Sequence, residues 1–230
     1  MNSSLFRAPS AGAGSGFFLA LIALFGAAVV TGATRQQSAQ PFTLERVRSY
    51  PFPNELAASA TGARLAWAFN ERGLRNIWVA EGPDFRARRL TDYSADDGQE
   101  LTGVSVSPDG RHVVYARGGE HGSNWDDSVP VNPASLPVMP KVQVWSVPFA
   151  GGEPKLLAEG DEPVVSPKGD RVAFLKDRAV WVVPVDGSAQ ARRMFSARGE
   201  AGSPVWSPDG SRLAFVSNRG DHSLDRKSVV

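Results

Sequence analysis

The sequence predicts an all-β fold: a partial β-propeller of about three and a half four-stranded antiparallel blades, preceded by an N-terminal hydrophobic helix. Three observations carry that reading. The tetrapeptide Ser-Pro-Asp-Gly occurs at 107–110 and at 207–210, with a near copy, Ser-Pro-Lys-Gly, at 166–169 and a looser one, Ser-Ala-Thr-Gly, at 59–62. Five residues after each turn glycine comes an aromatic: Trp67, Tyr115, Phe174 and Phe215. The glycines are spaced by 48 (62 to 110), 59 (110 to 169) and 41 residues (169 to 210), room for four short strands per repeat.

The elements follow in order. Residues 17–30, FFLALIALFGAAVV, are an unbroken apolar run after Arg7. The run is short for a membrane span of about 20 residues and of the length of a signal-peptide core. Thr31-Gly32-Ala33 supplies small residues for cleavage after Ala33. Residues 1–33 therefore read as a signal peptide, with an uncleaved membrane anchor as the rival. Either places the rest outside the cytoplasm. Residues 34–56 read as a linker, in which FTLERVRSY (42–50) is a candidate closing strand for a ring.

Residues 57–223 are the repeat region. In the copies at 107–110, 166–169 and 207–210 Pro presets φ, and in all four the next residue tolerates the second turn position and Gly takes the left-handed conformation that sends the chain back. The result is a tight hairpin of the type I plus bulge kind. The flanking runs, such as HVVYA and RLAFV, are dense in apolar residues, as in strands covered on both faces. A third strand follows, marked by Trp78, Trp145 and Trp181, and a Gly-rich turn leads to a short fourth. One such sheet cannot cover its own two faces, so it stacks between like sheets. The recurring aromatics, Trp206 included, are read as packing between blades.

The repeat breaks twice. Between Tyr115 and Trp145 lie about twenty residues more than the other copies hold, an insert spanning 118–141 with Pro130, Pro133, Pro137 and Pro140. It carries Glu120, His121, Trp125, Asp126 and Asp127. A Pro-stiffened solvated loop is one reading. The other is a substrate-facing loop in which Glu120, Asp126 and Asp127 hold an amine and Trp125 stacks. No spaced second histidine accompanies His121, so a metal site is not expected, and His112 reads as structural. The second break is at the end. Residues 224–230 are an atypical tail without the expected third strand, so the chain is expected to be the front part of a longer protein.

Composition removes several classes. Lys and Arg number 25 against 24 Asp and Glu, which gives a formal charge of +1 and no electrostatic case for nucleic acid. There are no cysteines, hence no disulfide or thiolate chemistry. The chain contains no G-x-S-x-G elbow (Ser15 in GAGSG lies in the export segment with the wrong spacing), no phosphate-binding loop, no H-E-x-x-H and no dinucleotide fingerprint. No catalytic residue and no cofactor is expected within it.

The runs VWSPDGSRLAFVSNRGDHS (205–223) and WSVPFAGGEPKLLAEGDEPVVSPKGDRVAFLKDRAVWVVPVDGS (145–188) resemble the propeller of the prolyl oligopeptidase family of serine peptidases. The exported dipeptidyl-peptidase and acylaminoacyl-peptidase-like members are the most similar in flavour, and the resemblance covers roughly residues 42–223. It implies a propeller cap that gates and orients peptide substrates for a C-terminal α/β-hydrolase domain lacking here. This chain alone is then expected to be inactive. TolB-type periplasmic propellers share the Ser-Pro-Asp-Gly repeat, so a non-enzymatic binding platform stands as the alternative. A propeller lyase acting on sugar acids has little support from three histidines.

Overall fold

The structure, a computed structural model, describes residues 43–49, 51–119, 140–195, 199–220 and 223–229, with the backbone alone at 48–49 and 223–229. Among the described residues the order of elements is one short helix and fifteen strands in four antiparallel sheets. Blade one is β1 (Phe52–Ala58), β2 (Arg64–Glu71), β3 (Leu74–Glu81) and β4 (Arg88–Arg89). Blade two is β5 (Leu101–Val106), β6 (His112–Arg117), β7 (Gln143–Pro148) and β8 (Lys155–Glu159). Blade three is β9 (Asp161–Val165), β10 (Arg171–Lys176), β11 (Ala179–Pro184) and β12 (Arg192–Arg193). Blade four is β13 (Glu200–Trp206), β14 (Arg212–Asn218) and β15 (Ser223–Val229). Each sheet is a meander in chain order, the expected partial propeller.

The hairpins are built as the turn chemistry dictates. The Gly110 N–H donates to the Ser107 carbonyl at 2.7 Å, Ser107 N–H donates to the His112 carbonyl at 2.8 Å, and Gly110 has φ +71°. The same bonds recur at Ser166–Arg171 and Ser207–Arg212. A hydroxyl–carboxylate pair reinforces each: Ser107 Oγ donates to Asp109 Oδ1 at 2.6 Å and Ser207 Oγ to Asp209 Oδ1 at 2.5 Å. In the third copy Lys168 replaces the aspartate, and the carboxylate comes from Asp170 instead, two residues later, at 2.7 Å from Ser166 Oγ. Each serine oxygen also accepts from the N–H of the first strand residue beyond the turn, His112, Arg171 or Arg212.

Packing between blades follows a rule of bulky leading faces and small trailing faces. Ala66, Ala68, Ile77 and Val79 of blade one meet Val104, Val106, Val113, Tyr115 and Phe149 of blade two. Val114 and Val144 of blade two meet Val172, Phe174, Val183 and Val185 of blade three. Ala173, Val180 and Val182 of blade three meet Trp206, Leu213 and Phe215 of blade four. In blades two to four the aromatic five residues after the turn thus fills the space in front of its blade. Tyr115 and Phe174 are wholly buried, and Phe215 stacks on Phe195 at 4.1 Å between ring centres.

An arginine rung ties neighbouring turns. Arg64 Nη1 donates to the Gly110 carbonyl at 2.9 Å, and Arg171 Nη2 donates to the Gly210 carbonyl at 3.1 Å. His112 holds the corresponding position in blade two, on β6 beside the turn, and among the described residues its buried Nδ1 has no partner.

Three expectations change. The described residues of the segment 42–50 hold no strand: Leu44–Ser49 is a helical turn, α1, begun by the Thr43 hydroxyl accepting from Arg46 N–H at 3.2 Å. Blade one opens earlier than residue 57, because β1 begins at Phe52, inside the expected linker. The end of the chain pairs as well. β15 runs in unbroken register along β14 from Asn218↔Ser223 to Arg212↔Val229, so blade four has a third strand despite its polar composition. An edge strand needs no apolar pattern on its open side, which is why the sequence hid it.

Candidate functional site

Two-residue hairpins join the second and third strands of blades one and three. Arg72-Gly73 and Asp177-Arg178 all have positive φ, as a primed turn requires. In blade two the insert takes that place. Its stems are braced by Arg117 Nη2–Asp97 Oδ2 at 2.5 Å on one side and Lys141 Nζ–Glu159 Oε1 at 2.5 Å on the other. Glu120, Trp125, Asp126 and Asp127 lie outside the described residues, as does His121.

Beneath the Arg117 stem lies a polar network. Tyr93 and Tyr115 share a hydroxyl–hydroxyl hydrogen bond of 2.7 Å, and the Arg117 guanidinium sits 4.3 Å over the Tyr93 ring. Buried Asn76 accepts from Tyr93 N–H at 2.7 Å and from the Thr91 hydroxyl at 2.9 Å, and its amide donates to the Tyr93 carbonyl at 3.0 Å. This fixes the crossing from blade one to blade two. Burial, with the Tyr93 hydroxyl alongside, pushes the Tyr115 phenol well above its ordinary 10.0. Burial also raises Tyr93, against the lowering pull of Tyr115 and Arg117. Both rings are therefore neutral packing elements at physiological pH.

The first strands of successive blades lie against one another and form the inner wall. Every one of them breaks its ladder at the same place. Glu55, Gly103, Glu162 and Ser203, each seven residues before its turn glycine, have φ of +60°, +59°, +49° and +49° and sit beside a register shift. All four are exposed. Glu55 Oε2 accepts from the Val104 N–H of blade two at 3.4 Å. The next two blades have Pro163 and Pro204 at the Val104 position and offer no N–H. Gly103 is the one position without choice: a Cβ there would stand 3.1 Å from Pro163 Cδ. The wall thus carries two exposed glutamates, Glu55 and Glu162, on left-handed backbone. Among the described residues no group of three or more His, Asp or Glu side chains is placed to hold a metal.

Hollows among the described residues flank this frame. One of about 560 Å³ lies among Arg178, Glu200, Asn218 and Arg219, where Arg178 Nε pairs with Glu200 Oε1 at 3.1 Å. A second of about 190 Å³ lies between Phe52, Asn54, Arg75 and Glu100. A third of about 420 Å³ opens at the turn end between Arg64, Arg88, Arg111 and Phe149, with Arg64 and Arg88 on the Phe149 ring. All three arginines are engaged, with Glu81, the Phe149 carbonyl and Asp109. None of these features was read from the sequence. The inner-wall ring could have been found by comparing the copies seven residues before each glycine, where Gly103 betrays the left-handed backbone.

No protein-family model matches the chain, and no curated protein matches it. Solved structures do. TolB from Acinetobacter baumannii matches at 15% identity and a TM-score of 0.53, covering 78% of this chain and 41% of that one. A structure from a study of two prolyl endopeptidases matches at 13% identity and a TM-score of 0.55, covering 79% and 28%. The Dos1 propeller matches at 13% and 0.53, covering 76% and 41%. The chain spans less than half the length of each of these. At such identities the likeness speaks for the fold alone: this is an all-β chain folded as part of a β-propeller.

Proposed function

We propose that the chain is the front part of the propeller of an exported serine peptidase, a cap that admits and orients peptide substrates for a hydrolase domain carried elsewhere in the polypeptide. The observation that carries this reading is the insert in blade two. A single blade replaces a two-residue hairpin with a long Pro-rich connection on braced stems, at the end of the blades where the chain crosses from sheet to sheet. In this reading Glu120, Asp126 and Asp127 of the insert would meet a cationic substrate group. The resemblance of residues 145–188 and 205–223 to the prolyl oligopeptidase family supports the same reading, as does the likeness to a prolyl endopeptidase structure. The run at 17–30 and the small residues at 31–33 support export to the periplasm or beyond. Catalysis would be acyl transfer through a serine nucleophile outside this chain, the propeller contributing size exclusion and orientation.

A second reading is a non-enzymatic envelope platform that binds other proteins, supported by the likeness to TolB from Acinetobacter baumannii. One experiment separates the two. Envelope extract of the source organism is treated with a fluorophosphonate that labels serine hydrolases, and antibody to this chain recovers the protein. The peptidase reading expects a labelled polypeptide containing these residues, and unlabelled material with intact antibody recovery would leave the platform.

A further inference from the structure

The joints between neighbouring blades are not built alike. Each rests on a row of side chains on the trailing face, one from each of the first three strands, held opposite one another by the ladder. In blade one the row is Ala57, Ala66 and Val79, and in blade three it is Val164, Ala173 and Val182. In blade two it is Ser105, Val114 and Ser146. The face of blade three that covers this row is apolar, with Val165, Val172, Phe174 and Val183. The Ser105 and Ser146 hydroxyls are buried, and neither has a partner among the described residues. A buried hydroxyl without a partner costs free energy that contact with water returns. The rows of the first and third joints are apolar throughout.

The ties across the joints differ in the same sense. At the first, Arg64 Nη1 donates to the Gly110 carbonyl and the Thr61 hydroxyl to the Pro108 carbonyl, at 2.9 and 2.8 Å. At the third, Arg171 Nη2 donates to the Gly210 carbonyl and the Trp206 indole N–H to the Val164 carbonyl, at 3.1 and 3.0 Å. At the second joint the arginine's place belongs to His112, whose buried Nδ1 has no partner among the described residues. The bond from Lys155 Nζ to the Asp186 carbonyl, 2.8 Å, crosses there on the exposed outer rim. The chain also crosses differently. Residues 90–100 lead from β4 to β5 and 194–199 from β12 to β13, whereas Gly160 alone separates β8 from β9. Gly160 has φ +149°, its N–H donates to the Val142 carbonyl at 3.0 Å, and a Cβ on it would stand 2.5 Å from the Leu175 carbonyl oxygen. It sits beside the Lys141–Glu159 stem of the insert, and His112 is at the opposite end of the same sheet.

We propose that the joint between blades two and three is a hinge built into the fold. Gly160 is its fixed point, the turn end is the side that opens, and blades one and two move as one body against blades three and four. Opening breaks the exposed Lys155 bond and brings the Ser105 and Ser146 hydroxyls to water, while the apolar rows of the other joints stay closed. The hinge stands on blade packing alone and holds under either reading of function.

The chain has no cysteine, so a single thiol placed in a joint reports the opening of that joint. Ser146→Cys and Val79→Cys occupy the same place in the second and first joints, and both native residues are buried. The measurement is the rate at which each thiol, in the full chain, reacts with dithionitrobenzoate across a series of low urea concentrations. Ser146→Cys is expected to react about tenfold faster than Val79→Cys or more, at a rate nearly independent of urea, as local opening requires. Adding His112→Arg should slow the Ser146→Cys reaction about threefold or more and leave that of Val79→Cys unchanged, which a general gain in stability would not do. Lys155→Ala, an exposed change that spares the core, should speed the Ser146→Cys reaction alone by about twofold. Equal rates at the two thiols would overturn the hinge. So would a Ser146→Cys rate that climbs with urea in step with global unfolding, or a Lys155→Ala effect felt equally in both joints.

Discussion

Arg64 reaches across a blade boundary to the Gly110 carbonyl, at 2.9 Å, while its plane covers the Phe149 ring at 4.9 Å and its Nε holds Glu81 at 2.8 Å. One side chain therefore joins an acid of blade one to a turn and an aromatic of blade two. Arg64→Ala is expected to cost roughly 1–2 kcal/mol in urea unfolding. Arg64→Lys should recover less than half of this, because an ammonium cannot span the three partners. Full recovery by lysine would reduce the rung to a point charge.

The inner-wall bulges make opposite predictions at equivalent sites. Gly103→Ala forces a Cβ against Pro163 at positive φ and should destabilise by about 1–3 kcal/mol. Ser203→Gly relieves a left-handed non-glycine residue and should stabilise by roughly 0.5–1 kcal/mol. Thermal melts of both variants check the pair, and a loss of stability in Ser203→Gly would contradict the strain.

The third turn offers an exchange experiment. Asp170→Ala removes the carboxylate that accepts from Ser166 Oγ and should cost about 1 kcal/mol. Adding Lys168→Asp restores the acid at the position Asp109 and Asp209 occupy, and should regain most of the loss. A double mutant no better than the single would show that the two sites are not interchangeable.

Acid should unfold the turns before the cores. Burial alone would raise the Asp109 carboxyl, but the Ser107 hydroxyl and the N–H and guanidinium of Arg111 outweigh it and hold it at about 2, against an ordinary 3.8. The Ser207 and Ser211 hydroxyls and the Ser211 N–H lower Asp209 as well, and Asp170 is lowered by Ser166 and Arg171 against its burial. A depressed folded value means that the stability is present above 3.8 and is lost as pH falls toward 2. Urea midpoints between pH 5 and pH 2 should fall, and Asp109→Asn should flatten that slope. An unchanged slope would disconnect the turn from acid stability.

The alkaline limb belongs to the tyrosine pair. With Tyr115 raised well above 10.0 in the folded chain, the unfolded chain ionises first, so stability declines as pH rises past 10. Tyr115→Phe cannot ionise there and should show a shallower decline, at a cost of about 1 kcal/mol near neutrality for the lost hydroxyl bond to Tyr93. Equal slopes above pH 10 would place the alkaline transition elsewhere.

What the sequence disclosed was whatever chemistry repeats. The glycines at 62, 110, 169 and 210 need left-handed backbone, and the aromatics five residues on need volume, so both leave a mark in every copy. The inner-wall bulge repeats equally well in the backbone, yet Glu55, Gly103, Glu162 and Ser203 share no chemistry, and no residue type announces it. β15 was missed for a related reason: SLDRKSV has the composition of a tail, and only its pairing with β14 makes it a strand. The helical turn at Leu44–Ser49 was mistaken for a strand because FTLERVRSY alternates over too few residues to distinguish the two. The insert was legible as an insert, from the spacing of Tyr115 and Trp145 alone, whereas the network beneath it joins Asn76, Tyr93 and Arg117 from three segments that no periodicity links.

The exchange of Lys168 for aspartate has a bearing on how such chains drift. The hydroxyl of Ser166 needs an acceptor but is indifferent to which neighbour along the loop provides it, so the motif can lose its most recognisable letter while the hairpin persists. A gene of this type can thus accumulate substitutions in its signature faster than in its shape, and searches keyed to the signature will undercount its blades.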